Sequence, residues 1–228
     1  MSKISIYVEG LTEMVFVRQF LMNKFDWSSA RIECYNVGDE NISKELYHFG
    51  DKNAPRYYMI YNCQNDELVL STIIDNYQQS IKENYTKVIG LRDVYSERYI
   101  DLIGRKYDAD GIDGFISGMK SQVNEISNKG DLDICFAIME IEAWMLGMDD
   151  VMRRIDPGMS FKLDTDPEKA CVHPFSNLEK TYEDIGLSYS KHWNDIKNFI
   201  YKITKDDFQK LYDSPYCQSF NSFVDLII

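Results

Sequence analysis

Short apolar runs that are typical of buried β-strands alternate with segments of helical periodicity over most of this chain. Runs rich in β-branched and aromatic residues lie at residues 4–8, 31–37, 57–61, 87–91 and 132–138. Apolar residues at helical spacing lie at residues 14–21, 68–81, 95–127 (with a Gly/Asp-rich break at 108–114) and 139–146. Strands that alternate with helices predict βαβ units, and therefore an α/β fold with a mostly parallel sheet flanked by helices.

Polar segments mark where the predicted elements end. Gly10 allows a sharp turn after the first strand, and Thr12 is the predicted N-cap of the helix that follows. Residues 38–55 are rich in Gly, Asn and Asp, which predicts an exposed loop. From residue 149 onward the pattern is helical. The predicted domains are therefore an α/β domain at 1–147 and an all-helical C-terminal extension at 148–228 that packs on it.

The composition indicates the compartment in which the protein works and the kinds of partner it binds. No apolar run approaches the roughly 18 residues that cross a bilayer, and no signal peptide is evident, so we expect a cytoplasmic protein that has no membrane partner. The five cysteines are scattered without a CxxC pair, which is typical of reduced thiols. Cys171 and His173 lack the second pair of ligands that a structural zinc site needs.

The charge is strongly negative and unevenly distributed. The net charge is −12, and residues 1–150 hold 15 Lys and Arg against 25 Asp and Glu. This balance argues against a broad nucleic-acid-binding surface, which needs clustered cations. Bound metal ions would offset part of the acidity, and a basic partner could supply the missing attraction for nucleic acid.

Acidic residues follow three of the predicted strands directly. Glu9 follows the first, Asp93 the fourth, and Glu140 with Glu142 the fifth. The carboxyl ends of parallel strands share one edge of a sheet, where ligands bind, so we expect these carboxylates to meet there. Mg²⁺ prefers carboxylate oxygens, and a pair of metal ions roughly 4 Å apart can stabilise both oxygens in phosphodiester cleavage. Because the chain offers no obvious nucleophilic triad, metal-assisted phosphoryl transfer is the predicted chemistry.

Each of these residues also has a purely structural explanation. The same is true of Glu13, Glu97 and Lys191, which become candidates through the resemblance described next. Glu9 and Asp93 could be turn or capping residues, since acids are common where a strand leads into a helix. Glu13 and Glu97 could owe their positions to the helix dipole, which favours acids in a first turn. Lys191 could be an ordinary surface lysine.

Two segments in the first part of the chain resemble motifs of a known family. VEGLTE at residues 8–13 resembles the first motif of TOPRIM-type domains, above all that of the overcoming-lysogenization-defect (OLD) nucleases and of a smaller bacterial family related to them. KVIGLRD at 87–93 is similar to the strand that leads into the family's DxD pair. The resemblance implies a TOPRIM-like, Rossmann-like domain. Glu9, Glu13 and Asp93 match its metal ligands, whereas Tyr95 stands where the second aspartate is expected. Glu97 is the candidate to replace that aspartate.

The later part of the chain resembles the smaller family. EIEAW at 140–144 is similar to its signature, and so are His173-Pro174, residues 189–191 and residues 219–223 in its helical tail. If EIEAW is helical, Glu140 and Glu142 point to different faces, and we prefer Glu142 as the metal ligand. In OLD nucleases a lysine beyond the last acidic motif lies near the reaction centre. The resemblance makes Lys191 that lysine, with a catalytic role beside Glu9 and Asp93.

The resemblance implies a function with one main alternative. It implies an endonuclease that depends on Mg²⁺ or Mn²⁺, cleaves DNA or RNA, and works with an ABC/AAA-type ATPase in anti-phage defence. The missing second aspartate supports instead a non-catalytic interaction subunit with a degenerate metal site. A nucleotidyl transferase or primase-like enzyme is a third possibility, although no zinc or basic template-binding module is visible. Homo-oligomerisation stays open.

Overall fold

The architecture is α/β, with a parallel sheet at its centre. The structure is a computed structural model that describes residues 2–38, 46–126, 130–161 and 165–228. Within those residues, five strands form one sheet in the order β2-β3-β1-β4-β5. The strands are β1 (Ser2–Val8), β2 (Ala30–Asn36), β3 (Arg56–Asn62), β4 (Lys87–Asp93) and β5 (Leu132–Ala137). All are parallel, with Ile6 of β1 opposite Ile60 of β3 and Ile89 of β4. The predicted fold class is confirmed, and the arrangement is Rossmann-like.

Helices flank the sheet and make up the C-terminal segment. The described residues contain α1 (Leu11–Lys24), α2 (Asp66–Lys82), α3 (Glu97–Ile103), α4 (Ala109–Asn124), α5 (Glu142–Leu146), α6 (Asp149–Ile155), α7 (Pro167–Ala170), α8 (Pro174–Glu183), α9 (Trp193–Ile200), α10 (Lys205–Asp213) and α11 (Gln218–Ile227). Gly90 of β4 shows how closely α2 lies on the sheet, because a Cβ there would come within 2.8 Å of Ile73 Cδ1.

Two predicted details of the helices are wrong. Thr12 is not the N-cap of α1, because the extended backbone of Gly10 takes that position and Thr12 is buried in the first turn. The break between the third and fourth helices is not at 108–114. It falls at Gly104, whose φ of 94° ends α3. Gly111 lies inside α4, where a Cβ would come within 2.7 Å of Ile103 Cδ1, so this glycine permits close packing and does not mark a loop.

The predicted loop between β2 and β3 is only partly an exposed segment. Residues 39–45 lie outside the described residues. Beyond them Leu46 is buried, and Phe49 forms an antiparallel bridge with Ile32 of β2. Gly50 follows with a φ of 90°, and a Cβ there would lie 1.7 Å from the carbonyl oxygen of Ala30. Backbone of this part of the loop therefore lies directly against the edge strand.

The described residues divide into two compact units. The first comprises those within 1–92, 117–135 and Ile227, and the second those within 93–116, 136–226 and Ile228. The core of the first unit lies between the sheet and its helices. In the second unit, Trp144 packs between Phe220 and Phe223, at centroid distances of 5.4 and 5.9 Å. The predicted division into domains at residue 147 stays a prediction.

Candidate functional site

The candidate site lies in the second unit, where β4 ends and the chain continues from β5 into α5. Asp93 is the last residue of β4 and is 2% exposed. Its Oδ1 accepts a hydrogen bond of 3.0 Å from the backbone N–H of Ile141. The N–H of Tyr95 donates to the carbonyl oxygen of Met139 at 2.7 Å. These two bonds fasten the end of β4 to the segment that carries Glu140 and Glu142.

A left-handed residue shapes this segment. Met139 is fully buried and has a φ of 61°, a conformation that costs a residue other than glycine about 1–3 kcal/mol. Its backbone conformation turns the chain away from the direction of β5 before α5 begins at Glu142. The predicted helix at 139–146 is therefore too long. Glu140 precedes the helix, so Glu140 and Glu142 do not lie on opposite faces of one helix as predicted.

Glu142 is a buried carboxylate that lacks the usual hydrogen bonds. It is 0% exposed, and no described group donates a hydrogen bond to either of its carboxylate oxygens. Lys191 Nζ lies 3.2 Å from Oε1, close enough for an ion pair but not aligned as a hydrogen bond, and its side chain is 43% exposed. A carboxylate taken out of water normally receives several hydrogen bonds. The lone pairs of Glu142 are thus available to a cation.

Glu140 has defined partners at the N-terminus of α8. Its Oε2 accepts a hydrogen bond of 2.7 Å from the backbone N–H of Phe175, and His173 Nδ1 lies 3.4 Å from the same oxygen. Burial lowers the pKa of His173, and the nearby ammonium of Lys191 lowers it further. His173 is therefore neutral near pH 7. Sequence reasoning assigned it no chemistry, because its contact with Glu140 is tertiary and no spacing reveals it.

Aromatic rings form one wall beside these charges. Tyr95 meets His173 edge to face, with ring centroids 4.9 Å apart. Lys191 Nζ lies 5.5 Å from the ring centroid of Phe175, which also packs near Tyr189 at 6.0 Å. Tyr95 therefore contributes a ring to this wall.

A second buried carboxylate fixes the helix that carries Glu142. The indole N–H of Trp144 donates to Ser219 Oγ at 2.8 Å and to Glu168 Oε1 at 3.1 Å, and the Ser219 hydroxyl also donates to Glu168. Burial raises the pKa of Glu168 to about 7. The segments EIEAW and 219–223, which were singled out by resemblance, thus meet at Trp144. The structural role of Glu168 was missed because in the sequence it is only an acidic residue in the first turn of a helix, which is common.

The remaining predicted residues lie elsewhere. In the first unit, Glu9 connects β1 to α1 and is half-buried, and Glu13 is 3% exposed in the first turn of α1. A Cβ on Gly10 would lie 3.0 Å from Glu13 Oε2, so the glycine leaves room for that carboxylate. In the second unit, Glu97 is exposed at the first position of α3, behind its N-cap Ser96. That Glu9 and Glu13 share an ion with Asp93 stays a prediction.

The side chains are not arranged around a metal ion in this structure. Among the residues described, no three His, Cys, Asp or Glu side chains lie close enough together to hold one. The carboxylate of Glu142 is instead paired with Lys191, and that of Glu140 accepts a hydrogen bond from the backbone of Phe175. Binding of a cation would therefore require Lys191 to move away from Glu142.

Comparison of the chain with protein-family models, with curated proteins and with solved structures finds no match. In the parts of the chain that the structure covers, no helix is both long and apolar enough to cross a membrane.

Proposed function

We propose that this protein is a nuclease that requires Mg²⁺ or Mn²⁺ and hydrolyses the phosphodiester bonds of DNA or RNA. The observation that carries the proposal is the Glu142 carboxylate, which is fully buried, accepts no hydrogen bond from the described residues and lies next to an ammonium group. Oxygen atoms with unused lone pairs suit a hard divalent cation, which gains most from charged oxygen ligands.

The residues that would hold the ion are acidic side chains at the ends of strands. Asp93, Glu140 and Glu142 supply carboxylates around one stretch of backbone, since the Asp93 carboxylate is bonded to the residue between the two glutamates. The sequence resemblance to TOPRIM-type domains adds Glu9 and Glu13. Bound there, a divalent cation would supply Lewis acidity toward a phosphoryl oxygen.

Lys191 has a separate part in the proposal. Its ammonium group balances the charge of buried Glu142 while no cation is present, at a distance of 3.2 Å. Its side chain is 43% exposed, so its ammonium group would also be able to contact an anionic substrate. A positive charge held beside a phosphate stabilises the negative charge that develops in the transition state.

The charge of the chain limits how it reaches its substrate. A net charge of −12 repels nucleic acid, so the protein needs a partner that brings the substrate to it. We propose an ABC/AAA-type ATPase as that partner and anti-phage defence as the setting, on the resemblance described above. This part of the proposal predicts weak cleavage by the isolated chain and stronger cleavage with the ATPase.

Calorimetric titration with Mn²⁺ and Mg²⁺ tests the proposal directly. Wild-type protein should bind at millimolar concentration or below, and Glu142→Gln should weaken binding by roughly 100-fold, because metal affinity depends on each ligand at least as strongly as on outer partners. Glu183→Gln, at an exposed position in α8, is the matched control and should bind like wild type. Wild-type protein that ignores millimolar metal would rule the nuclease out.

One specific observation favours the alternative of a non-catalytic interaction subunit. The ring of Tyr95 packs against His173 where the resemblance expects a second aspartate. In that case the protein binds its partner with the same affinity in chelator and in excess Mn²⁺. A nuclease whose assembly involves the metal site would show a difference between the two conditions.

A further inference from the structure

One stretch of the second unit is basic, although the chain as a whole is acidic. Residues 185–205 hold four lysines and one aspartate, a net charge of +3, whereas the whole chain carries −12. The stretch contains α9, and Lys191 lies just before the first residue of that helix, Trp193. Because Lys191 also contacts Glu142, the basic stretch begins beside the candidate site. A local excess of positive charge attracts anions even on a protein of negative net charge.

The side of α9 that faces away from the core presents Lys197 in a defined position. The core-facing residues of α9 are Ile196, Phe199 and Ile200. Trp193, Lys197 and Tyr201 are spaced four residues apart, so they follow one another along one side of the helix. Lys197 Nζ lies 5.9 Å from the ring centroid of Trp193, and Tyr201 meets the same ring edge to face at 6.2 Å. Since Tyr201 is 46% exposed, the two rings hold the Lys197 ammonium at the surface.

Arg105 brings a further positive charge to the candidate site from another part of the chain. It is exposed and lies in the connection between α3 and α4. Burial lowers the pKa of His173, and the positive charges of Lys191 and Arg105 lower it further, so both cations lie near that ring. Cations from two separate segments therefore converge at the wall of the candidate site.

Two of these cations are not engaged by carboxylates. Lys197 and Arg105 form no ion pair with any residue that the structure describes. Lys210 of α10, by contrast, is paired with Asp150 at 2.6 Å. A cation without a carboxylate partner can bind a phosphate without first breaking an internal pair, and such charge-assisted hydrogen bonds are among the stronger ones.

We propose that Arg105, Lys191 and Lys197 form a phosphate-binding strip that holds a single strand of nucleic acid beside the candidate site. The strip is short, because the eight residues of α9 span only about 12 Å. A few cations in a row can follow the backbone of one flexible strand. A duplex carries one negative charge per about 1.7 Å of its axis, so its second strand would meet the acidic remainder of the chain. Binding by the strip needs no metal ion, but that the bound strand is the substrate rests on the proposed nuclease function.

Fluorescence anisotropy with the full chain tests the proposal in the presence of a chelator, so that the outcome is independent of any metal site. The probes are labelled single-stranded DNA and RNA oligonucleotides and the DNA duplex of the same sequence. Three phosphate contacts predict a slope of about −2 when the logarithm of the binding constant is plotted against that of the salt concentration. Lys197→Gln and Arg105→Gln should each weaken binding several-fold at low salt and make the slope shallower by about 0.7. Lys82→Gln, at the exposed end of α2 in the first unit, is the matched control and should bind like wild type.

If Lys197→Gln fails to fold in a melting experiment, Arg105→Gln still decides the question. The proposal is overturned if no strand binds at about 100 μM protein, the weak end of non-specific affinities, or if both variants fold and bind like Lys82→Gln. It is also overturned if the duplex binds as tightly as the strand, or if vesicles of phosphatidylserine and phosphatidylcholine bind more tightly than either.

The outcome for the strip can be separated from that for the nuclease. Strand binding that depends on Lys197, in a protein that ignores millimolar Mn²⁺, would reject the nuclease and support the strip. Binding of Mn²⁺ without binding of a strand would reject the strip alone.

Discussion

Lys191 Nζ lies 3.2 Å from Oε1 of Glu142, a carboxylate that is 0% exposed and accepts no hydrogen bond within the described residues. Such a pair stabilises the fold only while both partners are present. The acidic site therefore depends on Lys191 in the absence of metal, whatever the lysine does during catalysis.

Replacing that lysine tests its structural part. Lys191→Met should destabilise the protein by about 1–3 kcal/mol, less than a fully buried pair would lose because the ammonium is partly exposed. Adding Glu142→Gln should restore much of the loss, because the buried charge is then removed as well. Urea unfolding of the two single variants and the double variant measures the coupling. Arg153→Met, which breaks the exposed pair with Asp149, should cost no more than about 0.5 kcal/mol. Additive effects of the Lys191 and Glu142 changes would contradict the pairing.

Glu168 should make stability depend on pH. Burial raises the pKa of Glu168 from 4.5 to about 7, so the folded protein holds a proton that the unfolded chain has already lost. Stability therefore falls as the pH rises from about 4.5 to 7, by about 3 kcal/mol in total. Glu168→Gln keeps an oxygen that can accept from Trp144 and should remove this fall. Unfolding curves at pH 4.5 and pH 8 measure it, with Glu183→Gln at an exposed position as the control. An equal change with pH in wild type and Glu168→Gln would disprove the assignment.

Glu9 tests whether the acids of the two units serve the same ion. Glu9→Gln and Asp93→Asn should weaken Mn²⁺ binding to a similar degree, each by roughly 100-fold, if both are ligands. Calorimetry gives the affinities, and cleavage of a labelled single strand and a labelled duplex gives the activity. A Glu9→Gln variant with wild-type affinity, beside a weakened Asp93→Asn, would confine the site to the second unit.

Two glycines with nearly the same backbone angle should tolerate alanine very differently. A Cβ on Gly50 (φ of 90°) would lie 1.7 Å from the carbonyl oxygen of Ala30, whereas a Cβ on Gly38 (φ of 88°) meets nothing described within 4 Å. Gly38→Ala should lower the free energy of unfolding by about 1–2 kcal/mol, because alanine is disfavoured in the left-handed conformation. Gly50→Ala should cost clearly more, because the loop must leave β2. Thermal unfolding of both variants measures the difference, and equal melting temperatures would contradict the contact.

The sheet could be predicted because its signals are local. Each strand contains a run of β-branched or aromatic residues, most of which are buried or half-buried, and such runs are visible in the sequence alone. The predicted N-cap of α1 was wrong, because Gly10 in an extended conformation takes the position that the sequence assigned to Thr12. The helix at 139–146 was too long for a deeper reason. Nothing in the residue type indicates that Met139 adopts a left-handed backbone, which only its surroundings can impose.

The candidate site was predictable only in part. Asp93 and the two glutamates after β5 follow from their places at strand ends, and Lys191 followed from the resemblance. The structure brings Lys191 to Glu142, while its catalytic role stays a prediction. The contact of His173 with Glu140 and the bonds of Glu168 depend on how distant helices pack. No pattern within a window of the sequence carries that information.

The partners of Trp144 impose an order of events during synthesis. Its indole nitrogen bonds to Ser219, and its ring packs against Phe220 and Phe223 of α11. These residues leave the ribosome long after β4, β5 and α5 have emerged. The nascent chain therefore completes the packing around α5, which carries Glu142, only when the final helix arrives, and a shortened product that lacks α11 would never complete it.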